Sequence, residues 1–212
     1  MKNSIFSRFT KLSLAALLLL SLTAFTGCPN NAGTDSTSDP VDSSLSVIGT
    51  WVDAGEYGNS YYEITESYFK NYGDYGYEGS EYESYEGNNV TIVPESTTSG
   101  YIYIKYTKAY ESVYEEPEDA DNWTHSPAST YNGVNYPEYW YRYSATAPDA
   151  GKWYALHYKD LTASSVDICG AWGSGTGAVT STDTLEEAKA EFTVDSEKNY
   201  FGNYSSCALV NE

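Results

Sequence analysis

The stretch "GYIYIKYT", Gly100 to Thr107, sets β-branched and aromatic residues almost side by side, with one lysine and no acid. In an extended chain, Ile102 and Ile104 fall on one side, and Tyr101, Tyr103 and Lys105 on the other. This period-two pattern recurs toward the N-terminus in "VIGTWV" (47–52), "SYYEIT" (60–65), "SYFKNY" (67–72) and "NVTIVP" (89–94). Toward the C-terminus it continues in "KWYALHYKDL" (152–161), "SSVDICGAW" (164–172) and "NYFGNYSSCALV" (199–210). Turn-prone Gly, Asn and Ser bound most of these runs. Many short strands at close spacing predict an all-β domain, a single antiparallel barrel or alternatively a β-sandwich. The strands are better defined than their orientation, because tyrosine suits either side of a sheet.

One helix interrupts the strands. In "TDTLEEAKAEF", Thr184 and Glu187 have capping-box spacing, and Leu185, Ala188 and Phe192 share a face. A short helix near 184–192 is expected to pack across the barrel mouth or side. The tract "NYGDYGYEGSEYESYEGNN" (71–89) alternates tyrosine with glycine and acids. It reads as an extended hairpin with a solvated outer face, its glycines and acids discouraging foreign strands. A disordered loop or a dedicated binding surface are its other readings.

The N-terminus carries Lys2, Arg8 and Lys11, then the apolar run "LSLAALLLLSLTAF" (12–25), short for a membrane span of roughly 20 residues. The "FTGCPNN" that follows, with Gly27 before Cys28, resembles the lipobox of bacterial lipoproteins. The resemblance implies a signal peptide over 1–27, cleaved before Cys28, and fatty-acyl (palmitate-type) modification of that cysteine. Residues 28–46 then form an acylated, polar, flexible tether, and 47–212 the barrel domain. The implied location is the bacterial cell envelope, lipid-anchored and facing the periplasm or the outer surface. Lipidation of Cys28 leaves an even pair, Cys169 and Cys207, outside the cytosol. They are read as a disulfide or as two separate buried thiols.

Removing 1–27 takes away three basic and no acidic residues, leaving eight against 30, a formal charge of −22. Such a chain repels nucleic acid and anionic lipid, so the membrane partner is engaged through the acyl anchor.

"IGTW" (48–51), first in the domain, resembles the Gly-x-Trp opening of lipocalin-like and calycin-like barrels. The resemblance implies a barrel-closing Trp51 packed against a basic side chain, and Arg142, the only arginine of the mature chain, is the candidate partner. It implies an extracytoplasmic barrel of this kind and fixes no ligand.

The long segment 108–151 contains four prolines, so it is not one regular element. "EYWYRYS" (138–144) within it reads as an extra strand. Its aromatics either cover the barrel or form a ligand-contacting lid. Candidate ligand contacts are Trp123, Tyr139, Trp140 and Tyr141, with Trp153 and His157 on the strand that follows. The acidic run 114–122 lacks the spacing of a calcium loop and reads as solvated charge. No metal site, cofactor or catalytic arrangement is expected: nucleophile-elbow, zinc-protease and phosphate-loop motifs are all missing. "GSGTG" (173–177) reads as a flexible turn, and the three glycosylation-like tripeptides as chance matches.

The leading expectation is a non-enzymatic, membrane-anchored barrel that binds a small apolar ligand. Its rival is an envelope adhesion or carbohydrate-binding module using surface tyrosines and tryptophans.

Overall fold

The computed structural model describes residues 45–56 and 58–210, so the expected signal peptide, Cys28 and most of the tether lie outside it. Twelve strands follow in order: β1 Gly49–Gly55, β2 Gly58–Ile64, β3 Tyr68–Asp74, β4 Tyr82–Pro94, β5 Gly100–Val113, β6 Thr124–Ser126, β7 Ser129–Tyr131, β8 Val134–Tyr136, β9 Tyr139–Ser144, β10 Trp153–Lys159, β11 Ser165–Gly170 and β12 Ser205–Leu209. Among the described residues the one α-helix, α1, spans Leu185–Glu191.

Eight of these strands close on themselves. β1 to β5 form an up-and-down meander, β5 pairs with β10, and β10, β11 and β12 lead back to β1, all antiparallel. Every wall strand therefore has two partners and no edge is left, which excludes the sandwich. Register aligns the apolar rows: Ile102 lies opposite Ile92 on β4 and opposite Leu156 on β10.

The alternation read from "GYIYIKYT" decides the inside. Ile102, Ile104, Leu156 and Ile168 have no exposed surface, and Trp51, Ile64, Phe69 and Val166 are equally enclosed. Each such side chain contributes about 1.5–3 kcal/mol by leaving water. Tyr106 and Tyr154 stack at 5.0 Å, and Tyr85 meets both edge-on. Gly87 makes room beside them, since a Cβ there would lie 2.8 Å from Ile104 Cβ.

Tyr101 and Tyr103 point outward yet are buried. The chain after α1 covers them: Tyr101 Oη accepts the Val194 N–H, and the Phe201 ring lies 5.9 Å from Tyr101 and 5.6 Å from His157. This cover replaces the strand expected over 199–204, so the last strand begins only at Ser205. The helix is where its capping box predicts. Thr184 Oγ1 accepts the Glu187 N–H, Glu187 answers to Thr184 N, and Ala188 and Phe192 are fully buried. It packs against β10 and β5, on the barrel side.

The acidic tyrosine tract is a hairpin, with β3 and β4 on either side of its turn. A bulge sets Ser84 and Tyr85 together opposite Asn71, and Ser84 and Tyr85 both turn inward.

Cys169 and Cys207 are buried free thiols, so the disulfide is corrected. Cys207 pairs across from Val166, and Cys169 lies three residues further along β11, hence on the opposite face of the wall. Burial pushes the Cys207 thiol up to about 12 and raises Cys169 as well.

Candidate functional site

The segment 108–151 extends the wall beyond the barrel. β5 continues seven residues past Tyr106, where β9 pairs with it and β6 with β9. β7 and β8 form a separate small hairpin. The two faces of the β5–β9–β6 sheet differ in what their side chains do.

On one face the groups engage one another. Arg142 Nε donates to Glu111 Oε1 at 2.7 Å, and its Nη1 to Asp119 Oδ2 at 3.0 Å. The guanidinium lies 4.1 Å from the Trp123 ring centroid, and Trp123 Nε1 donates to Asp119 Oδ1 at 2.9 Å. His125 stacks on Trp140 at 4.8 Å and meets Glu138 at 2.7 Å. Arg142 is thus committed to Trp123. The expected pairing with Trp51 is not formed; Trp51 is enclosed in the barrel and donates Nε1–H to Val47 O at 2.8 Å.

The other face is a row of tyrosines. Tyr139, Tyr141 and Tyr143 alternate along β9, and Tyr110 pairs directly with Tyr143. Tyr110 stacks with Tyr141 at 6.0 Å, meets Tyr143 at 5.7 Å, and Tyr141 lies 5.8 Å from Tyr139. Tyr110 is 44% exposed and the other three are half-buried. Between them stand Ser112, Thr124 and Ser126, all uncharged. Tyr75 and Tyr82, from the acidic tract's turn, lie 5.0 Å apart. Partial burial and then Tyr75 raise the Tyr141 hydroxyl, so the row runs toward that turn.

Near the row's base, Lys108 Nζ donates to Glu83 at 2.8 Å and to Glu86 at 3.0 Å, with Lys70 on Glu83 at 2.6 Å. Lys108 and Lys70 hold the Glu83 carboxyl down at about 2. These charges neutralise each other where the excursion leaves the barrel.

The structure therefore divides the sequence candidates. Tyr139 and Tyr141 share a face, whereas Trp123 and Trp140 brace its reverse. Trp153 sits in the barrel wall, its backbone bridged to Thr182. His157 is buried under Phe201, its Nε2 2.9 Å from Glu95 and its Nδ1 2.8 Å from the Tyr204 hydroxyl. Tyr110 and Tyr143 were missing from the candidates. Period-two reading of "YWYRY" would have separated Tyr143 from Trp140.

Comparison with known proteins gives no match. No family model, curated protein or solved structure is significantly similar to this chain. Among the described residues, no group of three or more His, Cys, Asp or Glu is placed to hold a metal ion.

Proposed function

We propose that the protein is a lipid-anchored, non-enzymatic binding protein of the bacterial envelope, whose tyrosine face takes a neutral polysaccharide. The observation that carries this reading is the Tyr139–Tyr141–Tyr110–Tyr143 row, half-open to solvent and backed by a braced sheet. Aromatic ring faces are electron-rich, and they suit the weakly positive C–H faces of sugar rings. The interleaved hydroxyls supply neutral hydrogen bonding, and a mature charge of −22 disfavours anionic polymers. An apolar ligand inside the barrel would have to displace Trp51, Phe69 and the isoleucines that fill it, which favours recognition on the outer sheet.

The test is retention of the full-length protein on insoluble neutral polysaccharides: cellulose, chitin and amylose resin. Retention on at least one is expected, with affinity about tenfold weaker in Tyr110→Ala/Tyr141→Ala at unchanged melting temperature. Undiminished retention by that variant would overturn the reading. For the anchor, Cys28→Ser is expected to move the protein from the membrane fraction to the soluble fraction. Unchanged membrane association would contradict acylation at Cys28.

A further inference from the structure

A concave site lies elsewhere on the barrel, where β11 ends. Trp172 follows β11 by two residues and is 81% exposed, the most open large apolar side chain among the described residues. A singly exposed apolar residue is ordinary. This one, however, stands at the rim of a pocket of about 380 Å³, within the range of small-ligand sites. Asn199, Asn203 and Ser174 line the pocket, with Tyr154 and Cys169 deeper in. Its lining contains no Asp, Glu, Lys or Arg.

The frame around the pocket is fixed by backbone hydrogen bonds. Trp172 N–H donates to Tyr200 O at 2.9 Å, and the N–H groups of Ser174 and Gly175 both reach Lys198 O, at 3.1 and 2.9 Å. Tyr200 Oη accepts the Val179 N–H at 3.0 Å, closing the loop from the other side. Gly173 is pressed against the Tyr200 ring, 2.7 Å from where its Cβ would sit, so the indole is carried on a packed turn. Gly170 gives the Tyr154 hydroxyl its place at the floor, since a Cβ there would lie 2.4 Å from it. Burial raises both the Tyr154 hydroxyl and the Cys169 thiol, which keeps the floor uncharged.

We infer that this pocket is a separate binding site for a neutral saccharide. The Trp172 indole takes one face of a sugar ring, and the amides of Asn199 and Asn203 hydrogen-bond its hydroxyls. An indole platform with amide and hydroxyl groups at its side matches a ligand having one apolar face and many neutral donors and acceptors. A charged ligand would find no counter-charge in the lining. An aliphatic ligand would leave the two asparagines desolvated and unpaired. The site stands apart from the tyrosine face and does not depend on its role.

The experiment titrates full-length protein, extracted in a detergent without a sugar headgroup, with linear tetrasaccharides of glucose, mannose, galactose and N-acetylglucosamine. Tetragalacturonate is the anionic comparison. Tryptophan emission is followed in wild type, Trp172→Ala, Asn203→Asp and Tyr110→Ala/Tyr141→Ala. Trp172 and Asn203 are exposed, so their variants leave the core intact. The expected result is a saturable emission shift with at least one neutral tetrasaccharide and none with tetragalacturonate. The shift is lost in Trp172→Ala, weakened at least tenfold in Asn203→Asp, and retained in the tyrosine variant. A shift that persists in Trp172→Ala, or no shift with any neutral probe, would overturn the inference. Loss of the shift in the tyrosine variant alone would also overturn it, while supporting the tyrosine face as the saccharide site.

Discussion

Arg142 shows how a single side chain's role depends on register. Its two acids and its tryptophan come from β5 and from the chain before β6, and they meet it only because β9 pairs with β5 at Glu111. The sequence marks Arg142 as the lone mature arginine and so invites a partnership with Trp51; strand pairing decides otherwise. The same holds for the two cysteines. Counting suggests a bridge, but three positions along β11 separate Cys169 from Val166, the residue opposite Cys207, and that odd offset turns the thiols to opposite faces. Such outcomes are illegible without the register. Arg142→Ala is expected to loosen the segment 114–126, seen as severalfold faster proteolytic cleavage there with the barrel's melting temperature nearly unchanged. Arg142→Lys is expected to resemble alanine, because a lysine cannot reproduce the planar stack together with two directed hydrogen bonds. Recovery of wild-type resistance by lysine would contradict that bracing role.

Among the elements, those with an unmixed periodic signal were legible. The helix is marked by Thr184, Glu187, Ala188 and Phe192, and it forms with both reciprocal cap bonds. Thr184→Ala is expected to destabilise the protein by about 1 kcal/mol, lowering its melting temperature by about 2–4 °C in a chain of this size. A change within experimental error would mean that packing of Ala188 and Phe192 alone holds the helix. The strands of the wall were likewise visible as alternation. Less visible was the length of β5, which runs on through Lys108 and Glu111. Lys108 lies opposite Glu86 on β4 and pairs with its carboxylate, and Glu111 lies beyond the barrel, where no core selects for apolar residues. The short strands β6, β7 and β8 gave no signal, since three residues are too few for a period to be read.

For the whole molecule, closure between β5 and β10 makes a barrel of what the sequence left as barrel or sandwich. Thirty-nine residues, 114–152, separate the two strands and carry β6 to β9, so no local pattern reports the pairing. The interior that results is rich in tyrosine, and that composition sets its response to pH. Burial raises Tyr62, Tyr85, Tyr106 and Tyr154, and pushes Tyr204, under the outer cover beside His157, up to about 12, against an ordinary value near 10.0. Above pH 10 the unfolded chain loses these protons while the folded chain keeps them. Stability contributed by these groups is therefore fully present below pH 10 and falls as pH rises beyond it. Tyrosinate absorbance is expected to appear in two stages, exposed rings first and buried rings only with cooperative unfolding. A single smooth titration of all 23 tyrosines near pH 10 would contradict a packed tyrosine interior.

The central claim is that a barrel with a filled interior serves as scaffold for a tyrosine face that binds neutral polysaccharide. Hydroxyl-radical footprinting of the full-length protein, with and without the polysaccharide that retains it, tests this at residue resolution. The account predicts protection at Tyr110, Tyr139, Tyr141 and Tyr143, while exposed Tyr114 and Tyr68 stay reactive. Protection confined to other surfaces, or none at the four tyrosines under saturating polysaccharide, would contradict it.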